Sequence, residues 1–300
     1  MEVAIGIRRP QKREKSMRSI SKKMHQILDE RIASKMKCKL FILFVVAVLA
    51  TLPYPSLVSA TSILGAAENF AVLVGTPNIT NIGATTITGD VGISPATSIT
   101  GQAQITLTGA YHTADAVAIT AKNDVSTAYT ALNNIPATQT LTSNELGGST
   151  LTSGVYAFGG NPATVLLNGM LTLDAEGNNN AYWVFQIPNA LTTGVSSSVV
   201  MNNFGSNGGS DYGLFWVVGS SAGIFGSTSF EGNILAYPSI TLNNSATILN
   251  GRVLAKTGTV TMDTNTISNI CPIGGPGNGG PGYSGGLVFD TSDHIVPIGP

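Results

Sequence analysis

Two stretches of the sequence place a hydroxyl, amide or carboxylate group at nearly every second position. Residues 239–249 read SITLNNSATIL and residues 259–267 read TVTMDTNTI, with aliphatic side chains between the polar ones. This alternation predicts β-strands that have one buried face and one polar face. Neither stretch contains a basic residue, so the chemistry that the polar face offers is mainly hydrogen bonding by hydroxyl groups.

Strands of this kind, stacked side by side, would form a two-dimensional grid of hydroxyls. Neighbours on one face of a strand lie roughly 6.6 Å apart and adjacent strands roughly 4.8 Å apart. Since one hydroxyl–water bond contributes only about 0.5–1.5 kcal/mol, adhesion needs many groups that are already in register. A rigid, uncharged grid matches the surface of ice. The alternative is a solvated face whose Thr and Asn ladders only stabilise the strands.

Motifs for catalysis and cofactor binding lack the structural context that they need. Residues 275–280 fit a dinucleotide-binding loop and residues 282–286 fit a nucleophile elbow, but neither lies between a predicted strand and a predicted helix. His112 and His294 are isolated in the sequence, and the acidic residues are scattered. Solenoid enzymes that cleave polysaccharides need clustered carboxylates. The sequence therefore predicts no enzyme, no cofactor and no metal site.

The first 60 residues have the features of a secretory signal. Residues 1–39 are basic and polar, residues 40–50 form an unbroken apolar run, and small residues at 58–60 suit a cleavage site. The apolar run is too short to span a bilayer comfortably. We therefore expect removal of residues 1–60 and secretion of the remainder into the extracellular space.

Loss of the leader changes the charge of the chain. Residues 61–300 keep three Lys and Arg against twelve Asp and Glu, which gives a net charge of −9. Nucleic acids and anionic membranes bind basic patches, so neither is expected as a partner. Cys271 is the one cysteine left, so no intrachain disulfide can form. We expect a monomer that is stabilised by packing.

An internal repeat predicts the fold. GNILAYPSITLN from Gly232 recurs as GRVLAKTGTVTMD from Gly251, and residues 240–243 recur as residues 260–263. Short alternating strands at a period near 20 residues favour a β-solenoid with about three strands in each coil. A closed β-sandwich also has many short strands, but it does not need equivalent strands at a fixed period.

Two segments differ from the β-pattern. Residues 113–134 predict a helix along the solenoid, with Thr113 as its cap, Asp115 in its first turn and Pro136 beyond its end. Its apolar stripe consists of Val117, Ala121, Val125, Ala128 and Leu132. Residues 271–300 are rich in Gly and Pro and predict a flexible tail. The solenoid domain is thus predicted over residues 61–270.

Several segments closely resemble the microbial ice-binding protein family. They include LGAAENFAVLVG, TTITGDVGISP, LTLDAEG, VFQIPNALTT and FEGNILAYPSITLN, and the match runs in the family's order from about residue 64 to residue 267. The resemblance implies a mostly β fold: an irregular three-faced β-solenoid with one long α-helix packed along its axis. It also implies adsorption to an ice crystal surface through one flat face, which inhibits ice growth or recrystallisation.

The resemblance and the strand pattern together predict the outward residues of that face: Thr80, Thr172, Ser198, Gly223, Ser239, Thr241, Thr259 and Thr261. Glycosylation sequons begin at Asn78 and Asn243, where a glycan would obstruct the face. Two other functions stay open. One is a cell-surface adhesin or carbohydrate-binding solenoid, whose contact is either the tail or exposed aromatic residues, with Trp183, Phe185, Phe215 and Trp216 as sugar platforms instead of core residues. The other is a polysaccharide-degrading solenoid enzyme.

Overall fold

The computed structural model describes residues 22–26, 61–204, 213–270, 287–289 and 295–297. The chain divides into two units, Met1–Val58 and Ser59–Pro300. In the first unit residues 22–26 are helical, and the rest of the leader lies outside the described residues. The secretory signal and the exact domain boundaries therefore stay predictions. In the part of the chain that is described, no helix is both long and apolar enough to cross a membrane.

Three parallel sheets form the body of the second unit, with strands numbered β1 to β27 along the chain. The nine-stranded sheet has the spatial order β8 (Tyr111–Thr113), β5 (Asp90–Ile93), β2 (Phe70–Val74), β23 (Val253–Ala255), β20 (Asn233–Ala236), β17 (Gly213–Val218), β14 (Tyr182–Ile187), β11 (Gly154–Phe158) and β9 (Gln139–Leu141). The seven-stranded sheet has the order β12 (Thr164–Leu167), β15 (Ala190–Thr193), β18 (Ala222–Ile224), β21 (Ile240–Leu242), β24 (Val260–Asp263), β3 (Asn78–Ile82) and β6 (Ser98–Thr100). The eight-stranded sheet has the order β10 (Thr150–Thr152), β13 (Met170–Asp174), β16 (Ser198–Asn202), β19 (Ser229–Glu231), β22 (Thr247–Leu249), β25 (Thr266–Ser268), β4 (Thr85–Thr88) and β7 (Ile105–Thr108).

The chain visits the three sheets in turn, which confirms the predicted three-faced β-solenoid. The coils do not stack in sequence order, however. The last coil, β23 to β25, lies between the first coil, β2 to β4, and the coil formed by β20 to β22. The first two coils therefore join the rest of the solenoid through its last coil.

The sequence repeat corresponds to strand pairing. Ile240 pairs with Val260 and Thr241 with Thr261 in the seven-stranded sheet. The two glycines that begin the repeats, Gly232 and Gly251, are stacked at a corner. A Cβ on Gly251 would lie 2.0 Å from the carbonyl oxygen of Gly232. Such a distance excludes any side chain, so glycine at the start of each repeat is a packing requirement.

Aromatic side chains fill the interior of the solenoid. The rings of Tyr156, Phe185 and Trp216 form a stack, with centroids 5.3 Å and 4.3 Å apart. Trp183 and Phe215 are also fully buried, and Phe215 faces the helix side of its sheet. Because burial of one large apolar side chain contributes about 1.5–3 kcal/mol, these residues stabilise the core. They are not sugar platforms.

The helix, α1, spans Ala116–Asn134 and covers the nine-stranded sheet. Its cap is Asp115, whose carboxylate accepts a hydrogen bond from the Ala118 N–H at 2.8 Å. The prediction of Thr113 as cap was wrong, because Thr113 ends strand β8. The stripe also begins one residue later than predicted: Ala118 is buried and Val117 is 46% exposed. The buried stripe packs on aliphatic residues of successive strands: Leu73, Leu254, Leu235, Val217 and Val184. The helix therefore runs along the solenoid axis.

A small antiparallel sheet joins the two ends of the second unit. It contains β1 (Thr61–Ser62), β26 (Leu287–Phe289) and β27 (Ile295–Pro297). Thr61 pairs with Phe289, and Val288 pairs with Val296. Two segments of the predicted flexible tail are thus strands, while the rest of residues 271–300 lies outside the described residues. Two short 3-10 helices, Gly65–Asn69 and Gln102–Gln104, complete the described secondary structure of this unit.

Candidate functional site

The outer side of the seven-stranded sheet carries two parallel rows of uncharged side chains, most of them small. The central row follows the strand pairing and contains Leu166, Thr192, Gly223, Thr241, Thr261, Thr80 and Thr100. The flanking row lies two residues earlier on each strand and contains Thr164, Ala190, Ser221, Ser239, Thr259, Asn78 and Ser98. None of these positions carries a charge. We call the two rows together the seven-stranded face.

Buried residues between the rows hold this face in place. Ile79, Ile240 and Val260 alternate with the outward residues and are fully buried. Because side chains alternate across a strand, Thr241 and Thr261 each stand between two buried neighbours. The hydroxyl positions therefore form a lattice of roughly 4.8 by 6.6 Å on a rigid support.

Phe225 marks one border of the continuous hydroxyl grid. Its ring is 41% exposed, and a Cβ on Gly223 would lie 3.7 Å from it. The ring thus lies beside the small gap that Gly223 leaves. From there the central row continues as four threonines in register: Thr241, Thr261, Thr80 and Thr100.

Six of the eight predicted site residues lie on the seven-stranded face. Thr80, Gly223, Thr241 and Thr261 are in the central row, and Ser239 and Thr259 are in the flanking row. Thr172 and Ser198 do not join them, because strands β13 and β16 belong to the eight-stranded sheet. The expectation of one shared face was wrong for these two residues. Their strands have the same inward–outward alternation, and alternation alone does not identify the face.

The eight-stranded sheet has a hydroxyl row of its own, which the sequence prediction missed. Its register aligns Ser198, Ser229, Thr247, Thr266, Thr86 and Thr106. The repeated motifs TTIT at 85–88 and ITLT at 105–108 were the signal in the sequence. Larger side chains interrupt this surface: Met170 is 54% exposed and Val200 is 38% exposed. Leu249 lies beside the carboxyl-bearing Glu231 in the adjacent row.

Comparison with known proteins identifies the family. The family model described as Ice-binding-like matches residues 73–268, which include the strands of all three sheets from β3 to β25. The chain belongs to the ice-binding-like family. An ice-binding protein from Nostoc sp. (strain HG1) is 44% identical over 213 residues, which are 71% of this chain and 76% of the relative. An ice-binding protein from Flavobacterium frigoris (strain PS1) is 33% identical over 68% of this chain and 75% of its own length.

A solved structure of this family has the same architecture. The crystal structure of an ice-binding protein from the Antarctic ascomycete Antarctomyces psychrotrophicus matches with a TM-score of 0.63 and 36% identity. The match covers 70% of this chain and 99% of that chain. The fold of the matched part of the chain is thus shared with an experimentally determined relative.

Two of the three basic side chains of residues 61–300, those of Lys122 and Arg252, make hydrogen bonds within the fold. The Lys122 ammonium donates hydrogen bonds to the carbonyl oxygens of Ala255 and Lys256. Burial, and then the charge of Lys256, lower the pKa of Lys122 to about 8. Arg252 donates to the side chain of Asn233 at 2.8 Å. These contacts use the cations within the fold and not as an exposed basic patch.

His112 has a structural role at the start of α1. Its ring lies between two carboxylates, 2.8 Å from Asp115 and 3.7 Å from Asp90, and packs edge-on against Phe70. Hydrogen bonds from the Ala118 N–H and then from His112 lower the pKa of Asp115. Within the described residues, no group of three or more His, Cys, Asp or Glu is arranged to hold a metal ion.

Proposed function

We propose that this protein is secreted and adsorbs to ice through the seven-stranded face, and that adsorption inhibits ice growth or recrystallisation. The observation that carries the proposal is the register of two uncharged rows, in which Thr241, Thr261, Thr80 and Thr100 are consecutive neighbours. Relatives named as ice-binding proteins, at up to 44% identity in the comparisons above, support the activity.

The physical basis is the simultaneous use of many weak hydrogen bonds. A single hydroxyl–water bond contributes about 0.5–1.5 kcal/mol, which is too little to hold the protein on a growing crystal. A rigid grid presents many such groups without an ordering cost for each one. Threonine adds a methyl group beside each hydroxyl, so contact also removes apolar surface from liquid water.

A substitution in the middle of the grid tests both the activity and the face. Thr241 is exposed and its hydroxyl makes no hydrogen bond with the described residues. Thr241→Tyr places a ring on a surface that must be flat, and one protrusion lifts many neighbouring groups out of contact. Ice shaping and recrystallisation inhibition should fall sharply, while the free energy of unfolding changes by less than about 0.5 kcal/mol.

Two matched variants serve as controls. Thr266→Tyr makes the same change on the eight-stranded sheet, and Thr127→Tyr makes it on the exposed side of α1. Both should keep the activity of the unsubstituted protein. Loss of activity in Thr266→Tyr and not in Thr241→Tyr would move the binding face to the eight-stranded sheet. If ice crystals in a solution of the unsubstituted protein grow as rounded discs, as they do in buffer, the proposal of ice binding is wrong.

One of the two contacts predicted for the adhesin alternative is ruled out. Trp183, Phe185, Phe215 and Trp216 are fully buried and cannot serve as sugar platforms. The absence of enzymatic activity stays a prediction. It is checked by incubation with pectin, alginate and chitin, where release of reducing ends or unsaturated products would contradict it.

A further inference from the structure

Asn78 lies inside the flanking row and is bonded to two of its neighbours. Its amide nitrogen donates a hydrogen bond to the Thr80 hydroxyl at 3.0 Å. Its amide oxygen accepts one from the Thr259 hydroxyl at 3.2 Å. The first contact runs along strand β3, and the second crosses to the neighbouring chain segment beside β24. One side chain thus ties two threonines in different rows and on different strands.

These two bonds give the threonines opposite roles toward water. The Thr80 oxygen accepts from Asn78, so the Thr80 hydrogen is free to be donated outward. The Thr259 hydroxyl hydrogen is donated to Asn78, so the lone pairs of the Thr259 oxygen remain able to accept a hydrogen bond from water. The Thr259 backbone N–H also donates to the Ser239 hydroxyl at 3.2 Å. Asn78 therefore connects two of the predicted site residues, and the Thr259 backbone joins Ser239 to them.

We propose that Asn78 is a positioning residue of the ice-contacting surface: it locks the side-chain rotamers of Thr80 and Thr259, so that the grid presents a fixed donor beside a fixed acceptor. This inference rests on the proposed function. Each threonine otherwise has alternative staggered rotamers and a rotating hydroxyl. Water molecules in ice require donors and acceptors at set positions, so groups that are ordered before contact lose less entropy on binding.

The variant Asn78→Thr separates positioning from hydroxyl number. It adds a hydroxyl to the flanking row and favours the strand, since threonine has high β-propensity. Threonine is too short to bridge Thr80 and Thr259. We expect the concentration needed to inhibit recrystallisation to rise about threefold or more, with an unchanged or higher melting temperature. Equal or better activity would overturn the proposal, because the number of hydroxyls would then decide the effect.

Ser229→Thr is the control. Ser229 lies on the eight-stranded sheet, outside the seven-stranded face, and its side chain is exposed. Its hydroxyl forms no hydrogen bond with the described residues. The substitution adds one methyl group and removes no bridge, so activity should stay the same. All variants are produced in a host that does not attach N-glycans, because Asn78→Thr also removes a sequon.

A measurement without ice distinguishes failure of this inference from failure of the proposed function. Three-bond NMR couplings report the χ1 angle of each threonine in solution. In the unsubstituted protein Thr80 and Thr259 should each have one rotamer. In Asn78→Thr both residues should show averaged couplings, while the couplings of Thr241 should stay unchanged. Averaged couplings at Thr80 and Thr259 in the unsubstituted protein would overturn the positioning role, whatever its ice activity.

Discussion

Among individual residues, Glu231 has an unusual environment for a carboxyl group. It lies at the end of β19, beside the aliphatic Leu249 of β22. Burial raises the pKa of Glu231 to about 7, an effect that a hydrogen bond with Asn250 reduces. Below pH 7 the protonated form is therefore favoured in the fold.

This pKa predicts a pH-dependent stability. In the unfolded chain a glutamate titrates near its ordinary value of 4.5, whereas Glu231 in the fold titrates near 7. The folded state thus binds more protons between these values, and the stability that this group contributes is present below pH 4.5 and is lost as pH rises through 7. Thermal unfolding at pH 5 and pH 8 measures the effect. Glu231→Gln should lose less stability over this interval, while the exposed control Glu176→Gln should behave like the unsubstituted protein.

Side-chain direction could be predicted from the sequence residue by residue, but the choice of face could not. Thr241 and Thr261 were predicted as outward neighbours, and the strand register confirms the pair. Thr172 was predicted from the same alternation, yet it pairs with Val200 on the eight-stranded sheet. Each coil contributes one alternating strand to the seven-stranded sheet and one to the eight-stranded sheet, so period-two patterning distinguishes inside from outside on these two sheets equally. The central strands of the nine-stranded sheet are buried on both faces, because the helix covers its outer side.

Between strands, corner residues define where one face ends and the next begins. Asn265 lies at the corner between β24 and β25 and is 2% exposed. Its amide nitrogen donates to the carbonyl oxygens of Asn243 and Ala246, at 2.9 and 3.0 Å. Its amide oxygen accepts from the Asp263 N–H at 2.6 Å. The sequence shows this residue only as one more polar position, because two of its three partners are backbone groups from a different coil.

Loss of the Asn265 side chain should destabilise the solenoid. Asn265→Ala leaves two carbonyl groups and one N–H group without these partners in a buried corner, at a cost of about 1–3 kcal/mol for a buried unsatisfied group. Chemical denaturation measures the change in the free energy of unfolding. Thr266→Ala, at the exposed position next in the chain, is the control and should change it by less than about 0.5 kcal/mol. Equal effects of the two substitutions would contradict a bonding role for the corner asparagine.

The whole molecule differs from a simple repeat protein in the order of its coils. In a solenoid that stacks in sequence order, each coil contacts only its neighbours along the chain, and a terminal coil can be removed with modest loss. Here the last coil pairs on one side with β2, β3 and β4 and on the other with β20, β21 and β22. The repeat at Gly232 and Gly251 predicts that these two coils are neighbours. It contains no information that the first coil, nearly 200 residues earlier in the chain, stacks on the far side.

Two truncations test this arrangement. Removal of residues 271–300 deletes β26 and β27, which pair with β1 outside the three large sheets, so cooperative unfolding and ice activity should persist.

Removal of residues 251–300 also deletes the last coil and leaves β2, β3 and β4 without the strands that connect them to the other coils. We expect the shorter protein to lose its single cooperative transition, measured by calorimetry and circular dichroism, because the first coils then lose their strand pairing with the remaining coils and keep the contacts made through α1. A cooperative transition in the 1–250 protein would show that the coil order is not essential to the fold. Loss of cooperativity in the 1–270 protein would show instead that the small antiparallel sheet supports the solenoid.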